Sequence, residues 1–141
     1  IANYMLYHVP DRRKTLKEIK RVLKDNGVLF AATAGENHLR EIYEWVFHVN
    51  GGKQGQFALQ FTLENGKEQL REFFPRVELS RYPDSLRVTD VDMLMAYVRS
   101  MASIELSEDE MQKLKNKFTE SLAQHSAINI SKDAGLFQAV K

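Results

Sequence analysis

The stretch Asn3-Tyr4-Met5-Leu6-Tyr7-His8 gathers an amide, two phenols, a thioether and an imidazole within a few residues of a short apolar lead, Ile1-Ala2. The lead reads as the end of a strand, and ligands of doubly wound sheets bind outside the carboxyl ends of strands. Asn3 is the best-placed ligand contact, because a short polar residue at a strand end can bond through side chain and backbone together. His8 has two readings. Its imidazole can act as a general base that takes a proton from a substrate, or it can bond the following loop and hold the turn. Leu6 is assigned to core packing. No metal site is expected: His8 lacks a neighbouring pair of carboxylates, His38 and His48 are too far apart on one helix to share an ion, and the chain has no cysteine. Gly51-Gly52-x-x-Gly55 follows a helical pattern rather than a strand, so it reads as a loop and not as a phosphate cradle.

Regular elements must position these groups. From Asp11 to Lys24, Leu16, Ile19, Val22 and Leu23 form one stripe against Arg12, Arg13, Lys17, Lys20 and Arg21, which predicts an amphipathic helix. Asp11 is its N-cap, and Asn26-Gly27 stops it because both residues tolerate a positive φ. Val28 to Thr33 is nearly all apolar, as in a strand buried on both faces. With the strand ending at Ile1-Ala2-Asn3, these pieces make most of a βαβ unit.

Further on, a helix is expected from Asn37 to Val49, and another from a cap at Thr62 to Phe74, closed by Pro75. Alternation over Val77 to Tyr82 predicts a strand, and Pro83-Asp84 a turn. Thr89 with Asp92 and Ser107 with Glu110 read as capping boxes opening two more helices. Ile128 to Val140 reads as a hairpin, or as a strand with a bent lead-in, around Lys132-Asp133-Ala134-Gly135. No linker composition marks a domain boundary.

The run Ala2-Asn3-Tyr4-Met5-Leu6-Tyr7-His8-Val9-Pro10-Asp11, continued by Leu16-Lys17-Glu18-Ile19-Lys20-Arg21-Val22-Leu23-Lys24-Asp25-Asn26-Gly27, resembles class I S-adenosylmethionine-dependent methyltransferases. It is most similar to the ubiquinone- and menaquinone-biosynthesis group, methyltransferase types 11 and 12, with Asp25-Asn26-Gly27 in place of Pro-Gly-Gly. Phe61-Thr62-Leu63-Glu64-Asn65-Gly66 and Gly135-Leu136-Phe137 resemble a bacterial subgroup. The resemblance implies an α/β, Rossmann-like fold, of which residues 1–141 are the C-terminal portion: a mostly parallel sheet with an antiparallel last strand and helical insertions. It implies S-adenosylmethionine as cofactor, bordered by Asn3, Tyr4, Met5 and His8, with His8 as the candidate catalytic base. The glycine-rich cofactor loop of such enzymes is absent from this sequence. The chain opens on an apolar strand end without methionine, so it is expected to be truncated, and competent only with an upstream half.

Segments 36–61 and 89–126 follow strands and are expected to cap the substrate, with His38, Tyr43, Trp45 and Tyr97 as candidate acceptor-pocket residues. Taken singly, the three aromatics are better explained as packing. A net charge of +1 argues against a dedicated nucleic-acid surface, and no apolar run approaches the roughly 20 residues of a membrane span. A cytoplasmic protein acting on a small-molecule acceptor is therefore expected. A nicotinamide-dependent dehydrogenase fits the Leu16–Gly27 signature poorly, and a non-catalytic remnant or helical interaction module is the alternative. A half-sheet with an unpaired edge is also expected to self-associate; a monomer by light scattering at high concentration excludes this.

Overall fold

The computed structural model describes residues 1–52, 60–101 and 104–141. In chain order the elements are β1 (Ala2–Asn3), α1 (Arg12–Val22), β2 (Val28–Ala34), α2 (Arg40–Val49), α3 (Gly66–Arg71), β3 (Arg76–Val88), α4 (Val91–Ser100), α5 (Glu108–His125) and β4 (Ile128–Val140). The strands lie in the order β1-β2-β4-β3. β1 runs parallel to β2, with Ala2 opposite Ala31 and Asn3 opposite Ala32. β4 is antiparallel to β2, from Val140 opposite Val28 to Ala134 opposite Ala34. The last strand is thus antiparallel as expected and lies between β2 and β3, so the pairing is less parallel than expected: β1 with β2 is parallel, and β2 with β4 antiparallel. The chain is an α/β protein whose one sheet combines a parallel and an antiparallel pairing.

The βαβ unit forms as its residues dictate. The Asp11 side chain accepts from the Lys14 N–H at 2.9 Å and starts α1. Leu16 is the buried residue of that helix. Asn26 adopts φ 63 in the turn that leads to β2, and the Gly27 N–H donates to the Lys24 carbonyl at 2.8 Å.

Several expected boundaries move. The helix expected from Thr62 to Phe74 shrinks to α3, and Thr62 caps the turn that leads into it, its hydroxyl accepting from the N–H groups of Glu64 and Asn65 and its carbonyl from the Gly66 N–H. Pro83-Asp84 is not a turn, and β3 runs straight through it. β3 is the last strand in the sheet order, and an edge strand tolerates a proline without losing a ladder hydrogen bond. The cap of α4 is Asp90, one residue after Thr89, and its carboxylate accepts from Asp92 and Met93. The Ser107–Glu110 capping box of α5 is present in full. Residues 132–135 do not turn; they continue β4. Gly135 serves close approach instead, since a Cβ there would stand 2.8 Å from the Ser80 carbonyl oxygen.

The chain divides into two compact units. The first comprises Ile1–His38, Ala58–Asp84 and Asp133–Lys141. Its core is built on Leu6, Leu16, Leu29, Phe61, Leu70, Phe74 and Phe137. Arg12 ties α1 to α3 and to the segment before it, donating to the Gln69 side chain at 2.8 Å and to the Gln60 carbonyl at 3.0 Å.

The second unit comprises Leu39–Phe57 and Ser85–Lys132, and so draws on both segments expected to cap the substrate. Ile42, Val46, Val98, Leu114, Phe118 and Ile130 lie at its centre. Glu41 pins the first turn of α2 to β4, accepting from the Ser131 N–H at 2.8 Å and from its hydroxyl at 2.6 Å. Burial pushes the Glu41 carboxyl up, but the two Ser131 bonds, its own N–H and Arg40 outweigh that and hold it below its ordinary value. Gly55, in the segment read from sequence as a loop, lies outside the described residues.

Candidate active site

The candidate site is the carboxyl edge of β1 and β2 in the first unit. Leu6 is buried in the core, as assigned from sequence, and anchors the turn that follows β1. Around it Asn3, Tyr4, Met5 and His8 are all exposed. Tyr4 departs from the strand with φ 51. That left-handed conformation costs an L-residue about 1–2 kcal/mol, and strain of this kind concentrates at functional sites. The Tyr4 N–H still donates to the Ala32 carbonyl at 3.0 Å, so the bend begins directly beyond the parallel ladder. The His8 N–H closes the turn onto the Met5 carbonyl at 3.0 Å. Its ring lies against Tyr7, with centroids 4.4 Å apart. The bond that closes the turn is a main-chain one, and His8 itself is exposed. Burial, and then the neighbouring Tyr4 phenol, raise the Tyr7 hydroxyl above its ordinary value.

At the end of β2, the buried Thr33 hydroxyl donates to the Phe61 carbonyl at 2.8 Å. Beyond it lies an ion cluster that sequence reasoning missed. Arg81 on β3 donates to Glu64 at 2.7 Å and to Asp133 on β4 at 2.8 Å. The second oxygen of each carboxylate accepts from the main chain that leaves β2. Glu64 takes the Glu36 N–H at 3.1 Å, and Asp133 takes the Asn37 N–H at 3.4 Å. Burial pushes the Glu64 carboxyl up, yet Arg81, its own N–H and the Thr62 hydroxyl together bring it below its ordinary value. The same bond to Glu64 raises Arg81, against a smaller effect of burial, with Asp133 adding to the rise. The only sequence signal for this cluster is Glu64, within the Phe61–Gly66 run. Arg81 and Asp133 are separated by 52 positions, and no spacing rule joins them.

Of the expected pocket residues, His38 belongs to the first unit and is half-buried, its N–H donating to the Gly35 carbonyl at 3.2 Å. Tyr43, Trp45 and Tyr97 belong to the second. Tyr43 and Trp45 pack on that unit's core, with the Trp45 and Phe118 rings 4.9 Å apart. Tyr97 is 44% exposed on α4. Among the described residues no group of three histidine or acidic side chains could hold a metal ion, and no helix is long and apolar enough to cross a membrane.

Residues 1–31 match the model of a family described as a methyltransferase domain. No curated protein matches the sequence. Among solved structures, the chain is similar to the YcgJ protein of Bacillus subtilis, with 16% identity and a TM-score of 0.55. That likeness covers 99% of this chain and 61% of the other, and it concerns the fold. Phosphoethanolamine N-methyltransferase 2 of Haemonchus contortus, solved with phosphomonomethylethanolamine and S-adenosylhomocysteine, is similar at 18% identity and a TM-score of 0.44, over 99% of this chain and 32% of its own. The chain therefore spans less than two thirds of the length of these proteins. Residues 1–31, which hold a strand, a turn, a helix and the start of a second strand, thus match a methyltransferase domain, and the chain as a whole shares the α/β, Rossmann-like fold of the Bacillus protein.

Proposed function

We propose that the protein transfers a methyl group from S-adenosylmethionine to a small-molecule acceptor. The match of residues 1–31 to a methyltransferase domain carries this reading. The residues present fit one wall of a cofactor cleft. The left-handed Tyr4 turns the chain out of β1 and leaves Asn3 and Met5 exposed at the strand's carboxyl end. In this reading Asn3, Tyr4, Met5 and His8 border the methionine portion of the cofactor. Its sulfonium supplies a methyl carbon already activated for in-line displacement. The protein's part is to align the acceptor and exclude water, and such positioning contributes about 7–11 kcal/mol in well-oriented reactions. No triad or carboxylate dyad is required. His8 takes the acceptor's proton where the acceptor atom carries one. Segments 36–61 and 89–126 shape the acceptor pocket. Activity depends on a glycine-rich cofactor loop, which this sequence does not contain.

The second reading is a non-catalytic remnant or helical interaction module. A thermal-shift titration with S-adenosylhomocysteine separates the two. A ligand at 100 times its dissociation constant stabilises by about 2.7 kcal/mol, or several degrees for a domain of this size. The expected result is a shift in the full-length protein and none in residues 1–141 alone. No shift in either sample sinks the methyltransferase reading.

A further inference from the structure

We infer that Arg81 is a positioning residue for methyl transfer, holding the main chain of Gly35–Asn37 at the carboxyl end of β2 through Glu64 and Asp133. The inference rests on the methyltransferase reading above.

The geometry is a relay of two prongs. One guanidinium nitrogen reaches Asp133 and the other reaches Glu64. Each carboxylate then spends its remaining oxygen on one of two successive amides, those of Glu36 and Asn37. The Asp133 carbonyl adds a third tie, accepting from the Gly35 N–H at 2.9 Å, and the Leu63 N–H donates to the Ala34 carbonyl at 3.2 Å. All four carboxylate oxygens are thereby engaged by the chain's own donors. The cluster is built to fix backbone rather than to receive a ligand itself.

Stability alone is a weak reason for this arrangement. Arg81 is 47% exposed, and ion pairs near the surface contribute little. What the fork supplies is direction: it sets where the chain goes as it leaves β2, on the edge where doubly wound sheets bind ligands. Lysine cannot substitute, because a single ammonium lacks the planar fork that spans two carboxylates. In a reaction whose catalysis is alignment, a displacement of about 1 Å costs on the order of 100-fold in rate.

The test uses the full-length protein as wild type, Arg81→Gln and Arg81→Lys. Turnover is read as S-adenosylhomocysteine release at saturating S-adenosylmethionine, with a protein-free extract of small metabolites as the acceptor source. Product affinity is read by calorimetry, and amide protection by hydrogen exchange. Arg81→Gln is expected to lower turnover by about 100-fold, with S-adenosylhomocysteine affinity within about twofold of wild type. The Glu36 and Asn37 amides exchange faster, while Leu29 and Ala31 keep their protection. Arg81→Lys does not restore turnover. Wild-type turnover in Arg81→Gln overturns the inference. So does a loss in which Leu29 and Ala31 lose protection equally, since that marks a folding role. Should Arg81→Gln fail to fold, Glu64→Gln keeps the shape and removes the charge; the same split is expected, and undiminished turnover overturns the inference. Wild-type protein that releases no product overturns the methyltransferase reading itself, and the inference with it.

Discussion

Gly35→Ala is expected to destabilise the protein by about 2–3 kcal/mol, a steric cost of the size seen when atoms are forced into packed sites. A Cβ at Gly35 would stand 2.1 Å from Asp133 Oδ2 and 2.5 Å from its Cγ. Gly35 does not have a positive φ, so alanine suits the backbone and the clash alone does the damage. The Asp133 side chain is only 16% exposed. To make room it must swing away from both Arg81 and the Asn37 amide. The check is a double-mutant cycle by chemical denaturation. In an Asp133→Ala background the obstructing atoms are gone, and Gly35→Ala should then cost less than about 0.5 kcal/mol, so the two substitutions are strongly non-additive. Equal costs in both backgrounds would refute the steric account and leave the tight junction of β2 with β4 unexplained.

The second large effect is expected at Phe137. It is fully buried on β4, opposite Ala31, and its ring meets Phe61 edge-on with centroids 5.7 Å apart. Gly66 is close on another side, since a Cβ there would be 2.7 Å from Phe137 Cε2. Surroundings this tight cannot collapse readily into the space of a lost ring. Phe137→Ala should therefore cost about 3–5 kcal/mol, a large share of the 5–15 kcal/mol that typically separates folded from unfolded chains. Urea denaturation of wild type, Phe137→Leu and Phe137→Ala checks it. Leucine should fall well short of the alanine penalty because it retains most of the buried apolar volume. A loss below about 1 kcal/mol for alanine would mean that the first unit is not organised around this aromatic pair.

The strand that carries Phe137 is one that pattern reading handled unevenly. Phe137 lies in an apolar run that reads correctly as strand, and burial follows from that assignment. Gly135, two positions earlier, was expected to sit in a turn, yet it pairs with Thr33 and makes room for the Ser80 carbonyl. A glycine signals a special backbone need, but a turn and a close approach look alike in sequence. Pro83 presents the same ambiguity, because its compatibility with a strand depends on whether that strand has a neighbour on its N–H side.

Local chemistry was enough for everything settled within a few residues. The Asp11 cap, the Asn26 turn, the β2 strand and the Ser107–Glu110 box all follow from short-range hydrogen bonding and periodicity, which the sequence displays directly. Only the tertiary structure decided which distant segments meet. The insertion of β4 between β2 and β3, the assembly of a second unit from residues 39–57 and 85–132, and the junction of Glu64, Arg81 and Asp133 are of this kind. Each depends on long-range packing of the sheet. A charge pattern along the chain cannot foretell a guanidinium that bridges two carboxylates from different strands and loops.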